Sequence, residues 1–118
     1  MKINKTKIEN RMKKKKDLLL VKTIIFLKKT NPEVAKELAK PKRKWPSINL
    51  KDLQLVEGDV VVAGKVLSAG EINEPKKIVA WSFSQKAKEK IEGSKGKAIL
   101  ISEEIKKNPE LNDLVIVK

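Results

Sequence analysis

The chain has 118 residues, enough for one small domain, and its 28 Lys or Arg against 15 Asp or Glu give a formal net charge of +13. It contains no Cys and no His, which excludes disulfides, zinc fingers and ribbons, and nucleophilic sites of the Cys–His or Ser–His–Asp kind. A hydrophobic content of 40% is enough for a packed core, so the chain is not merely a disordered basic tail, and a surface this positive attracts polyanions.

The charge is gathered at one end. Residues 1–46 hold 16 Lys or Arg and 4 Asp or Glu, a net of +12, whereas residues 47–118 hold 12 and 11, a net of +1. This predicts a basic N-terminal arm over 1–46, helical and then extended, joined to a near-neutral body over 47–118, with nucleic acid or an anionic membrane as the partner class. Within the arm, Lys5 to Lys29 reads as helix. Lys13-Lys14-Lys15-Lys16 ahead of the apolar stretch Leu18 to Leu27 has the outline of a secretory signal. Lys22 interrupts that stretch, however, Lys28 and Lys29 follow it, and no small-x-small cleavage site is present. The stretch is also about half the length a membrane span needs. The expected setting is a protein core or a partner surface, with Lys22 and Lys29 on one polar stripe and no membrane involved.

Thr30-Asn31-Pro32 stops this helix and starts another. Asn31 suits an N-cap, Pro32 the first helical position and Glu33 the positive end of the dipole, and Val34, Ala35 and Leu38 give the apolar face of a short helix ending near Ala39. In Lys40-Pro41-Lys42-Arg43-Lys44-Trp45-Pro46, two prolines five apart exclude helix and favour an extended strip hinging arm to body.

The body opens with Ile48-Asn49-Leu50 and Leu53-Gln54-Leu55, a half-buried strand or a short turn. After the Gly58-Asp59 turn, Val60-Val61-Val62 and Lys65-Val66-Leu67 are strands joined or kinked at Ala63-Gly64, and Ser68-Ala69-Gly70 ends the unit. Ile78 to Phe83 is a strand. Ser84 or Ser82 caps the next helix, Ser82 with Gln85 as a possible capping box; Ala87 and Ile91 share its inner face and Gly93 closes it. Lys97 to Ile101 is a strand, Ser102 caps a helix to about Lys107, Asn108-Pro109 ends it, and Leu114 to Val117 is a last strand. Strands alternating with short helices define a small mixed α/β body of irregular strand–strand–helix repeats.

The strongest candidate site is Lys40, Lys42, Arg43 and Lys44, four cations able to track successive phosphates, each contact releasing condensed counterions. Trp45 beside them either stacks on an exposed base or packs on the body. Lys13, Lys14, Lys15 and Lys16 form a second basic cluster, of which a helix can turn only two or three toward one groove. Gly64-Lys65 fails as a phosphate-binding P-loop, because Gly58 lies six before Gly64 and Val66 follows the lysine; Lys65 remains a candidate RNA contact. Glu103-Glu104 sits in a first helical turn and complements the dipole rather than forming a catalytic pair. Trp81 and Phe83, alternating with serines, are expected to face the core. No constellation supports an enzyme, a cofactor, a metal or a small-molecule substrate.

Val60-Val61-Val62-Ala63-Gly64-Lys65-Val66-Leu67-Ser68-Ala69-Gly70 resembles the central signature of the archaeal and eukaryotic large-subunit ribosomal protein family called eighteen-e, a relative of bacterial large-subunit protein fifteen. Trp81-Ser82-Phe83-Ser84 with Ala87, Lys90-Ile91 and Gly96-Lys97, Ser102 to Glu104 with Asn108-Pro109, Lys40 to Lys44, and Ile48-Asn49-Leu50 are similar to further parts of the same pattern. The resemblance runs from about Pro32 to Lys118. Ala63 stands where relatives often have proline, Ser68 where they often have glycine, and Leu111-Asn112-Asp113 replaces glycines usual in the last loop. What the resemblance implies is an α/β body, basic N-terminal residues reaching into large-subunit ribosomal RNA, neighbouring ribosomal proteins as partners, a place on cytoplasmic ribosomes, and no enzymatic role. The competing reading is a free-standing RNA- or DNA-binding regulator, which sedimentation separates from a ribosomal constituent.

Overall fold

The computed structural model describes residues 18–117. The Lys13–Lys16 run and the start of the first expected helix lie outside the described residues. Helix α1 spans Leu18–Thr30. Leu20, Ile24 and Leu27, spaced by four and three, fall on one face and are fully buried. Thr23 joins that face by donating its hydroxyl to the carbonyl of Leu19 at 2.8 Å. Lys22 and Lys29 are both exposed, as the expected polar stripe requires. No described helix is long and apolar enough to cross a membrane.

Helix α2 spans Pro32–Ala39 with Asn31 as its N-cap, accepting from the Val34 amide at 3.3 Å. The same side chain donates to the carbonyl of Glu110 at 3.0 Å, tying this cap to the last loop of the body. The segment after it departs from the extended strip expected. Lys42–Lys44 forms a 3-10 turn closed by the Lys44 amide on the Pro41 carbonyl at 2.8 Å. Proline lacks a donor but keeps its acceptor, so Pro41 can open such a turn although it cannot continue a helix.

Five strands follow: β1 Ser47–Asn49, β2 Val60–Leu67, β3 Lys77–Phe83, β4 Lys97–Leu100 and β5 Val115–Val117. All pairings are parallel, in the order β1-β2-β3-β4, with β5 also on β2. β5 pairs with Val60–Val62 and β1 with Lys65–Leu67, so the two short strands share β2 between them. The register slips between Val62 and Lys65, and β2 is one strand kinked at the expected Ala63-Gly64. Helix α3 (Leu50–Leu53) is a single turn, α4 spans Gln85–Gly93 and α5 spans Ile101–Lys107.

Helices cover both sheet faces, which is why the central strands read as continuous apolar runs. On one side Leu20, Ile24, Leu27, Val34 and Leu38 of α1 and α2 share a core with Val61, Val79 and Ile101; on the other, Leu50, Leu53, Ala87 and Ile91 pack on Val60, Val62, Ile78 and Ala80. The expected α/β body of strand–helix repeats is the fold observed.

Local signals differ in how they resolve. Ser84, not Ser82, caps α4, accepting from the Ala87 amide at 3.2 Å, while Ser82 lies in β3. Ser102 does not cap α5: β4 ends at Leu100 and the helix begins at Ile101, placing Ser102 within its first turn. In the loop where glycines are replaced, Leu111 and Asp113 take φ of 53° and 64°. The left-handed backbone is kept without the residue that adopts it most easily. Asn108 steadies the loop with bonds to the Asn112 carbonyl at 2.9 Å and amide at 3.0 Å.

Candidate nucleic-acid interface

The backbone of Pro46 crosses β2 at its kink. Its carbonyl accepts from the Lys65 amide at 3.1 Å, and a Cβ built on Gly64 would lie 2.1 Å from that same oxygen. Only glycine admits this approach. It brings the Arg43-Lys44-Trp45 segment, distant in sequence, beside Lys65. Register then aligns Ser47, Lys65 and Ser82 across three adjacent strands. Arg43, Lys44 and Lys65 are exposed, and none of them forms an ion pair with a described residue.

Trp45 is half-buried. Its indole N–H donates to the Lys40 carbonyl at 2.9 Å, and its ring meets Trp81 edge to face with centroids 6.2 Å apart and planes at 78°. The packed alternative for Trp45 therefore describes its main setting, while one side of the indole pair still opens on a shallow depression of about 390 Å³ lined by Trp45, Pro46, Ser47, Lys65, Trp81 and Ser82. Trp81 and Phe83, expected together in the core, are both only half-buried and pack toward opposite faces. Trp81 lies near the end of β3, where burial falls from full to partial over the last three residues, and a simple alternation pattern does not register that change.

The expected cations do not all reach this face. Lys40 turns to Glu37, Nζ to Oε2 at 2.9 Å. Lys13, Lys14, Lys15 and Lys16 lie outside the described residues, as does the side chain of Lys42, whose backbone belongs to the 3-10 turn. Trp45 and Lys65 are the members the fold brings together, lining one depression, while Arg43 and Lys44 are exposed in the turn just before Trp45.

Lysines in the body do other work. β2 and β3 are parallel neighbours joined by residues 68–76 with no helix between them, and a bare crossover leaves carbonyls in need of donors. Lys90 Nζ bonds the Ser68 and Gly70 carbonyls, each at 2.9 Å, with Glu71 at 3.3 Å. Lys76 bonds the carbonyls of Leu53 and Val56. Lys77 pairs with Glu104, whose side chain is 1% exposed. Glu104 is thus a buried structural anion as well as a first-turn acid. Among the described residues no cluster of metal-ligating side chains occurs.

The described residues thus form a parallel α/β body of a basic protein, with exposed Arg43, Lys44 and Lys65 and two indoles in edge-to-face contact. Comparison with known proteins narrows this. Residues 20–99 match the family described as ribosomal proteins 50S-L15, 50S-L18e and 60S-L27A. The chain is 42% identical over 81 residues to the large ribosomal subunit protein eL18 of Archaeoglobus fulgidus, covering 66% of this chain and 69% of that protein. Against eL18 of Methanococcus maripaludis identity is 41% over 88 residues, 72% and 73% of the two chains, and against that of Sulfolobus acidocaldarius 39% over 104 residues, 82% and 86%. The chain belongs to the eL18 family of large-subunit ribosomal proteins.

Proposed function

We propose that this protein is a structural constituent of the large ribosomal subunit in the cytoplasm, binding ribosomal RNA through its Lys/Arg-rich N-terminal segments and having no catalytic role. Family membership supports the ribosomal setting. The observation that carries RNA binding is the union of a +12 excess over residues 1–46 with the exposed trio Arg43, Lys44 and Lys65. RNA helices repel one another, and fixed cations between them permit closer packing than mobile counterions alone. The near-neutral body holds the basic segment in place and offers its remaining surface to neighbouring ribosomal proteins. Lys13 to Lys16 and Lys42 are further RNA contacts in this reading.

Salt-dependent binding of a large-subunit RNA fragment tests it. Replacing Arg43 and Lys44 together by alanine is expected to flatten the slope of log affinity against log salt by roughly 1.4–1.8, about 0.7–0.9 for each lost phosphate contact. An unchanged slope removes this segment from the interface. Native protein that sediments apart from large subunits in moderate salt favours the free-standing regulator and overturns the ribosomal assignment.

A further inference from the structure

We propose that the depression between Trp45 and Trp81 receives one unpaired nucleotide, its base against the indole pair and its phosphate or sugar beside Lys65. This rests on the RNA-binding reading above and adds to it a site, a ligand form and the residues that take it. Three separate chain segments build the site. Trp45, Pro46 and Ser47 come from the strand entering β1, Lys65 from the kink of β2, and Trp81 with Ser82 from β3. The volume of about 390 Å³ lies within the range of small-ligand pockets, about 300–1,000 Å³.

The lining combines what a nucleotide asks of a protein. Aromatic surface stacks on any base, an ammonium without an ion pair among the described residues answers a phosphate, and the Ser47 and Ser82 hydroxyls both donate and accept at a base edge or ribose. The Trp45 N–H is engaged with the Lys40 carbonyl, which fixes the ring and confines its contribution to stacking. Bases inside a duplex are stacked on each other and cannot enter, so the site selects looped, bulged or single-stranded RNA. Arg43 and Lys44, exposed beside it, hold the flanking backbone without regard to base pairing.

The chain has two tryptophans, and both line the depression, so intrinsic fluorescence reports on it directly. The full-length protein is titrated at low salt with a short oligouridylate and, separately, with a blunt RNA duplex, following tryptophan emission and the anisotropy of labelled RNA. Both RNAs are expected to bind, the single strand quenching emission by about half and the duplex leaving it unchanged. Trp81→Phe is expected to weaken oligouridylate binding about threefold with duplex binding unchanged and circular dichroism native. Lys65→Gln is expected to weaken the single strand about fivefold and the duplex less, since Lys65 also belongs to the general cationic surface. Binding of both RNAs with no quenching, or equal quenching by the duplex, overturns the nucleotide site and leaves the cationic interface standing. Failure of the single strand alone to bind overturns the nucleotide site, and failure of both RNAs overturns the RNA-binding reading as well.

Discussion

Gly64→Ala tests the contact that joins the basic segment to the body. The added Cβ would stand 2.1 Å from the Pro46 carbonyl oxygen and 3.1 Å from both Pro46 C and Cδ. The first obstacle is backbone, which cannot rotate aside as a long side chain can. Relieving it to ordinary van der Waals contact moves one backbone off the other by about 1.3 Å. That shift breaks the Lys65–Pro46 hydrogen bond and loosens the Ser47–Lys65 pairing beside it. Overpacking costs about 1–3 kcal/mol and the lost bond about 1 kcal/mol, so a loss of about 2–4 kcal/mol is expected. Urea unfolding followed by tryptophan emission measures this, and because Trp45 sits one residue from Pro46, the native spectrum should shift as well. A loss below about 1 kcal/mol with an unaltered native spectrum would refute the argument.

Removing Lys77 by Lys77→Met leaves the Glu104 carboxylate buried without its partner and should cost about 2–4 kcal/mol in chemical denaturation, less than a fully buried pair because Lys77 is 30% exposed. Adding Glu104→Leu is expected to recover most of that, and no recovery in the double variant would show that the cost is packing rather than charge. Asp113→Gly relieves a φ of 64° and should raise stability by about 0.5–1 kcal/mol, read as a higher melting temperature. Lys76→Ala should destabilise the protein while leaving the salt dependence of RNA binding unchanged, since its ammonium is held by the Leu53 and Val56 carbonyls; a slope reduced as much as by Arg43→Ala would place Lys76 on phosphate instead.

Much of the fold is legible in the sequence wherever the signal is local. Asn31-Pro32 and Ser84 announce their helices because capping depends on residues within one turn. The kink at Gly64 is equally visible, because glycine inside an apolar strand marks a bulge or a close backbone approach. Long-range arrangement is not encoded so openly. That β1 and β5 lie end to end along β2 depends on packing between segments far apart in the chain. The Trp45–Trp81 contact has the same origin, and alternation alone places Trp81 in the core. The 3-10 turn at Lys42–Lys44 is hidden because proline signals a broken helix, whereas its carbonyl remains a good turn acceptor.

Lysine is where sequence reasoning has least purchase, since its charge looks the same whether it meets a phosphate or a backbone carbonyl. The strand-to-strand crossover between β2 and β3 has no helix to satisfy its carbonyls, and Lys90 is the donor to those of Ser68 and Gly70. Lys76, within the crossover, donates back to the carbonyls of Leu53 and Val56, at the end of α3 and just after it. Lys77 is committed to Glu104 and Lys40 to Glu37. These side chains are not available to an external anion without loosening the fold. Lys51, Lys86, Lys88, Lys95, Lys97 and Lys107 of the body stay exposed without an ion pair to a described residue. What sets Lys65 apart in the proposed RNA-binding reading is therefore its place beside the Trp45–Trp81 pair, not its lack of a partner. Fold and function thus draw on the same residue type, and it is position relative to an unsatisfied carbonyl or a buried carboxylate, not the count of charges, that separates the two uses.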